Sequence, residues 1–98
     1  MFEIEMGTQG HVLMSGRLDT AQSAKAQAFL DSVPEATVLD FTDLDYISSA
    51  GLGVLLIVQK RVMKLGEVLR IINVNNHIHD VFRFSGFDKI FVIERVAE

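Results

Sequence analysis

Two adjacent hydroxyls, Ser48 and Ser49, stand between Asp45-Tyr46-Ile47 and an apolar run that opens Ala50-Gly51-Leu52-Gly53-Val54. That order reads as the end of a loop after a strand, followed by the start of a helix. A serine in this place caps the first turn by accepting a backbone N–H, and Ser49 is the one expected to do so. A helix start also gathers unpaired N–H groups and a partial positive charge, which makes it a favourable seat for a phosphate. The chemistry indicated is phosphorylation of a hydroxyl, with simple turn capping as the other reading of the same residues. Gly51 and Gly53 lack a side chain, so a second backbone can come close to this turn.

Other residue groups offer less. Asp19 is a good cap for a helix, with Gln22 three residues on as in a capping box. Asp43 and Asp45 read as solvated loop carboxylates. His77, His79 and Asp80 invite a metal, but helical neighbours two apart point in different directions, so no metal site is expected. Gly51-x-Gly53 lacks the third glycine of a dinucleotide loop, because Leu56 stands in its place. No Gly-x-Ser-x-Gly elbow exists, and no histidine is set to act as a base for Ser49. The chain is therefore expected to be no enzyme and to hold no cofactor.

Composition narrows the class further. An apolar content of 49% in 98 residues suffices for one core, and residues 1–98 are expected to form a single domain. A formal charge of −4 argues against nucleic acid, whose phosphates need a basic stripe. The absence of cysteine excludes disulfides, thiolate chemistry and cysteine zinc sites. The acidic, alternating start Met1-Phe2-Glu3-Ile4-Glu5 is unlike a signal peptide. The apolar run from Ala50 to Val58 falls far short of the ~20 residues of a membrane span. A cytoplasmic protein without membrane insertion is expected.

The elements that must position the serines follow from periodicity. Phe2, Ile4 and Met6 alternate with Glu3 and Glu5, as in a half-buried strand. His11–Ser15 predicts a second strand, antiparallel to the first, and Gly16-Arg17-Leu18-Asp19 then leaves the sheet. Ala26, Phe29, Leu30 and Val33 predict a helix from Thr20 to Ser32, stopped by Pro34. Thr37–Phe41 reads as a parallel strand. The central helix is expected over Ala50–Leu65, with Gly66 closing it. Val68–Val74 is the strongest strand signal. Asn75 or Asn76 caps a third helix carrying Ile78, Val81, Phe82 and Ser85 on one face, and Ile90–Ile93 is a last strand or an edge tail. The result is an α/β fold in the order β-β-α-β-α-β-α-β, a mixed sheet of four to five strands with helices packed on it. Right-handed crossovers place the first two helices on one face.

With these segments in order, the chain resembles the STAS domain family, and within it the bacterial anti-sigma factor antagonists. The resemblance rests on Gly16-Arg17-Leu18-Asp19, on the aspartate-bearing strand Val38-Leu39-Asp40-Phe41, on Tyr46 to Gly53, and on Phe82-Arg83-Phe84-Ser85-Gly86-Phe87. It implies a non-enzymatic partner switch. An anti-sigma factor of the histidine-kinase-like ATPase fold binds the dephosphorylated antagonist and phosphorylates a serine at the helix start. A PP2C-type phosphatase removes the phosphate. The resemblance makes Asp19, Ser48, Ser49, Ala50, Gly51, Leu52 and Gly53 the partner-binding residues. The family's usual acceptor lies directly before Gly-Leu-Gly, where this chain has Ala50, so the acceptor is expected one residue early, at Ser49 (alternatively Ser48). The other function it implies is an unmodified STAS adaptor subunit of a lipid-transport ATPase or a stressosome-like particle.

Overall fold

The structure is a computed structural model and describes residues 1–96. Its elements are β1 (Phe2–Met6), β2 (Val12–Leu18), α1 (Ser23–Ser32), β3 (Val38–Ile47), α2 (Ser49–Lys64), β4 (Arg70–Val74), α3 (Asn76–Ser85) and β5 (Val92–Arg95). The expected element order and α/β class are thus observed. The five strands lie side by side in chain order, with β1 antiparallel to β2 and every later pair parallel. Each parallel crossover moves one strand in the same direction, so right-handed connections put all three helices on one face.

That face carries the core. Val12, Met14, Leu39, Phe41 and Ile71 of the strands join Leu55, Val58 and Val62 of α2 and Ile78 and Phe82 of α3 in one buried cluster. Phe82 lies between Phe41 and Phe91, with ring centroids 6.4 and 6.0 Å away. Alternate strand residues such as Glu3, Ser15, Asp40 and Arg70 remain exposed or half-buried, as expected for a sheet with one solvated face. The helices are tied to each other and to the sheet by long side chains. Arg61 of α2 donates to Asp31 Oδ1 at 2.9 Å and to the Leu30 carbonyl at 2.8 Å, both in α1. Gln59, buried in α2, donates to the Ile90 carbonyl at 2.8 Å and accepts from the Leu69 N–H at 3.1 Å.

Two strands run longer than the sequence predicts. β2 continues to Leu18 instead of leaving the sheet at Gly16, because Gly16 takes φ +84° and a Cβ there would sit 2.1 Å from the Met1 carbonyl oxygen. The first residue of the chain thereby stays packed on β2, and Arg17 N–H bonds that same carbonyl at 2.8 Å. β3 continues to Ile47 rather than ending at Phe41. Its polar stretch Asp40–Asp43 is absorbed by register irregularities against β2, after which Leu44 and Ile47 turn inward.

The remaining boundaries shift less. α1 begins at Ser23, because Asp19 caps a short 3₁₀ turn over Thr20–Gln22 that precedes it. β4 starts at Arg70, and the last strand is Val92–Arg95, a parallel edge strand beside β4. Gly66 closes α2 as expected. It takes φ +78°, its N–H bonds the Met63 carbonyl, and the Glu67 N–H bonds the Val62 carbonyl, a Schellman ending.

Candidate functional site

The start of α2 is built from the end of β3 outward. Ile47 is the last residue of the strand, opposite Leu18 of β2, and Ser48 N–H then bonds the Leu18 carbonyl at 2.9 Å. Ser48 keeps extended backbone angles, and its Oγ accepts the Gly51 N–H at 3.1 Å. Its own carbonyl takes the Leu52 N–H at 2.9 Å, the first helical bond. The cap is therefore Ser48, not Ser49 as the sequence suggested. The reason lies in the sheet: the strand runs to Ile47, so the helix begins one residue earlier than a loop would allow.

This displacement separates the two hydroxyls. Ser48 is 8% exposed, with its oxygen engaged in the cap. Ser49 is exposed and occupies the first helical position, beside the free N–H groups of the opening turn. Of the pair, only Ser49 is open to solvent. Asp19 lies half-buried at the start of the neighbouring 3₁₀ turn, where its Oδ1 accepts the Gln22 N–H at 3.1 Å. Its backbone carbonyl also takes the Ser23 hydroxyl at 3.0 Å.

The glycines divide in the same way. A Cβ on Gly51 would lie 2.9 Å from both Ile47 Cγ1 and Leu18 Cγ, whereas one on Gly53 would meet nothing within 4 Å. Gly51 thus serves the close seating of α2 on the sheet, and Gly53 is the residue that leaves open space on the outside. Leu52 also turns into the core. Among the residues expected to face a partner, Ser49, Ala50 and Gly53 are accessible, while Ser48, Gly51 and Leu52 support them from within.

Asp40, expected within a strand, and Asp43, expected as a loop carboxylate, both lie in β3 beside a second polar cluster. Asp40 Oδ1 accepts the Thr42 N–H at 2.9 Å, the Thr42 hydroxyl at 2.5 Å and the Asn73 amide at 3.2 Å. Burial on its own would raise the Asp40 pKa. These hydrogen bonds, with His11 nearby, outweigh it and hold the carboxyl below its ordinary value. Asn73 reaches it from a left-handed backbone at φ +58° within β4. A shallow depression of about 270 Å³ beside Asp40 is lined also by Glu3, Glu5, Ser15 and Asp43, and none of its residues belongs to the α2 start. Alternation along β3 marks Asp40 in the sequence, but its partner Asn73 lies 33 residues away and no local pattern announces it.

His77 is exposed and His79 half-buried on α3, and among the described residues no His, Asp or Glu group is arranged to hold a metal ion. Among the same residues no helix is long and apolar enough to cross a membrane.

Comparison with known proteins gives a consistent picture. A family model described as "Mlab, STAS domain" matches residues 4–94. BtrV of Bordetella bronchiseptica, provisionally named an anti-sigma factor antagonist, is 39% identical over 75 residues. That alignment takes in 76% of this chain, and the chain spans 65% of the length of BtrV. A crystal structure from Thermotoga maritima, likewise provisionally described as an anti-sigma factor antagonist, superposes with a TM-score of 0.77 at 18% identity, over 95% of this chain and 85% of that one. The anti-sigma factor antagonist SpoIIAA in its unphosphorylated form gives a TM-score of 0.70 at 20% identity, over 100% of this chain and 90% of its own. At these identities the two structures speak for the fold alone. The family match, spanning almost every element from β1 to β5, carries more: the chain belongs to the STAS domain family.

Proposed function

We propose that this protein is an anti-sigma factor antagonist that works by binding, and that Ser49 is the residue through which binding is switched. The observation that carries the reading is the split between the two serines: Ser48 is locked in the cap and Ser49 stands exposed at the first position of α2. The likeness to BtrV and to SpoIIAA supports the antagonist role. The proposed partner is an anti-sigma factor of the histidine-kinase-like ATPase fold, which phosphorylates Ser49 when it holds ATP. A PP2C-type phosphatase resets the switch.

The physics of the switch is local. A phosphate on Ser49 adds about −1.5 to −2 charges at neutral pH. Within the domain that charge meets the positive end of α2, an interaction worth roughly 0.3–1 kcal/mol in favour of the fold. A partner seated over Ala50 and Gly53 has to strip water from the same charge. A thousandfold loss of affinity takes ~4 kcal/mol, within the cost of burying a charge without a counter-ion. The phosphate therefore turns off docking while leaving the fold in place.

The test is to mix the protein with a purified ATPase-fold anti-sigma factor from the same organism. Complex formation in ADP and phosphate mapping by mass spectrometry in ATP are then followed. Phosphate on Ser49 with loss of the complex is the expected outcome. No phosphate on either serine, together with no complex in ADP, rejects the reading. A second reading, an unmodified adaptor subunit, is favoured by Ala50 at the family's usual acceptor position. It predicts that protein isolated from cells never carries phosphate on residues 48 or 49.

A further inference from the structure

Strand β1 forms one edge of the sheet and has a neighbour only on its β2 side. The Arg17 N–H bonds the Met1 carbonyl and the Gly7 N–H bonds the His11 carbonyl, so the odd-numbered residues of β1 turn their backbone groups toward β2. By alternation Phe2, Ile4 and Met6 direct theirs away from the sheet. Lys25 of α1 reaches over and donates to the Phe2 carbonyl at 3.2 Å. The Phe2 N–H and both backbone groups of Ile4 and Met6 have no partner among the described residues. Folds commonly blunt such an edge with proline, lysine, a bulge or a covering segment. Here β1 holds neither proline nor lysine, and its register on β2 is unbroken.

The side chains along this edge differ between its two faces. Glu3 and Glu5 are exposed on the solvated face, and Ser15 and Asp43 continue that face across the sheet beside Glu3. Glu3 lies 4.0 Å from Lys25 Nζ, and Glu5 is in no ion pair among the described residues. On the helix side Ile4 is half-buried and Met6 is 43% exposed.

We propose that β1 is a docking edge that takes an extended basic segment of a partner protein as an added antiparallel strand. Lysine or arginine then stands opposite Glu3 and Glu5, and apolar residues stand opposite Ile4 and Met6. Charge selects this occupant over a second copy. Two copies joined edge to edge about a twofold axis run antiparallel, with outward-facing even residues opposite even ones. Ile4 against Ile4 sets Glu3 opposite Glu5 twice, and a slide of two residues sets Glu3 against Glu3 or Glu5 against Glu5. These are the non-hydrogen-bonded positions, where opposed side chains come closest and like charges repel most. The same positions favour cations. No residue of β1 belongs to the α2 start, so this edge and the serine switch stand or fall separately.

The experiment titrates the full chain with three seven-residue peptides. One alternates lysine with valine, one has glutamate in place of lysine, and one is the lysine peptide N-methylated at its valines, which removes the donors that would face β1. Affinity and the hydrogen exchange of the Ile4 and Met6 amides are followed by NMR. The lysine peptide is expected to slow exchange at both amides and to bind ~10-fold more tightly than the glutamate peptide. Glu5→Lys is expected to invert that order. Met6→Pro removes one outward N–H and no bond to β2, and is expected to weaken the lysine peptide ~5-fold. Unchanged circular dichroism and melting temperature certify the fold of each variant. Unaltered exchange at Ile4 and Met6 with millimolar lysine peptide overturns the proposal. Equal binding of the N-methylated peptide reduces the effect to charge attraction and overturns it as well. Protection of these amides that grows with protein concentration in the absence of peptide assigns the edge to a second copy, against the proposal.

Discussion

The helices α2 and α3 begin alike and present opposite surfaces. Each follows a parallel strand, and each is capped by a side chain that accepts the N–H three residues on: Ser48 from Gly51 at 3.1 Å, Asn75 from Ile78 at 2.9 Å. Each then offers a polar residue at its first position, Ser49 or Asn76, exposed to solvent. Beyond that point they diverge. The outer side of α3 carries the Asp80–Arg83 pair at 3.3 Å beside an exposed Phe84 near its end, whereas the outer side of α2 carries no charge at all until Lys60. Cap chemistry is therefore common to both and cannot make a binding site. What distinguishes α2 is an accessible hydroxyl bordering a surface that water covers poorly.

The sharpest way to break this comparison is to place the same charge at both helix starts. Ser49→Asp is expected to reduce partner affinity ~100-fold, about 2.7 kcal/mol, while Asn76→Asp leaves it within twofold. Isothermal titration against the anti-sigma factor decides it, and equal losses at the two positions would remove the special status of α2. Both substitutions put an acid in the first turn of a helix, so neither is expected to lower the melting temperature.

A second comparison lies within α2 itself, between its two glycines. Gly51→Ala pushes a methyl within 2.9 Å of Ile47 and Leu18, and is expected to destabilise the protein by about 1–3 kcal/mol in urea unfolding. Gly53→Ala meets open space and replaces the poorest ordinary helix former with the best. It is expected to stabilise by roughly 0.5–1 kcal/mol. The same Gly53→Ala change narrows the approach to α2, so a stability gain joined to weaker docking separates fold from function at one atom.

The smallest effect concerns the polar cluster on the other side of the sheet. The folded state holds the Asp40 carboxyl below its ordinary pKa, so the unfolded chain takes up the proton first. Its contribution to stability is complete above pH ~4 and is lost as the pH falls through the lower, folded value. Asp40→Asn is expected to lower stability at pH 7 and to flatten the acid limb of the stability curve. Docking should not change, because no residue of the cluster lies in α2.

Much of the fold could be read from the chain because its signals are local. The alternation of β1, the helical spacing of Ala26 and Leu30, a cap at Asn75 or Asn76 (Asn75 in the structure) and Gly66 as a helix end all depend on neighbours within a few residues. The two largest boundary shifts share one physical cause. β2 and β3 extend to Leu18 and Ile47 because each is held by a neighbouring strand. Pairing of that kind overrides the breaks that Gly16 and Asp40–Asp43 suggest on their own.

The amino-acid order by itself determined that two serines would meet the start of an apolar helix, in a chain without cysteine and with few cations. Which hydroxyl is sealed and which is open was decided only by the assembled sheet. The Leu18 carbonyl takes the Ser48 N–H, the helix starts there, and the next residue is left facing solvent. The same packing turned Gly51 inward and Gly53 outward, a distinction that two identical residues two positions apart cannot carry in their identity. Contacts between residues some 30 positions apart set these orientations, and such contacts exist only once the chain has folded.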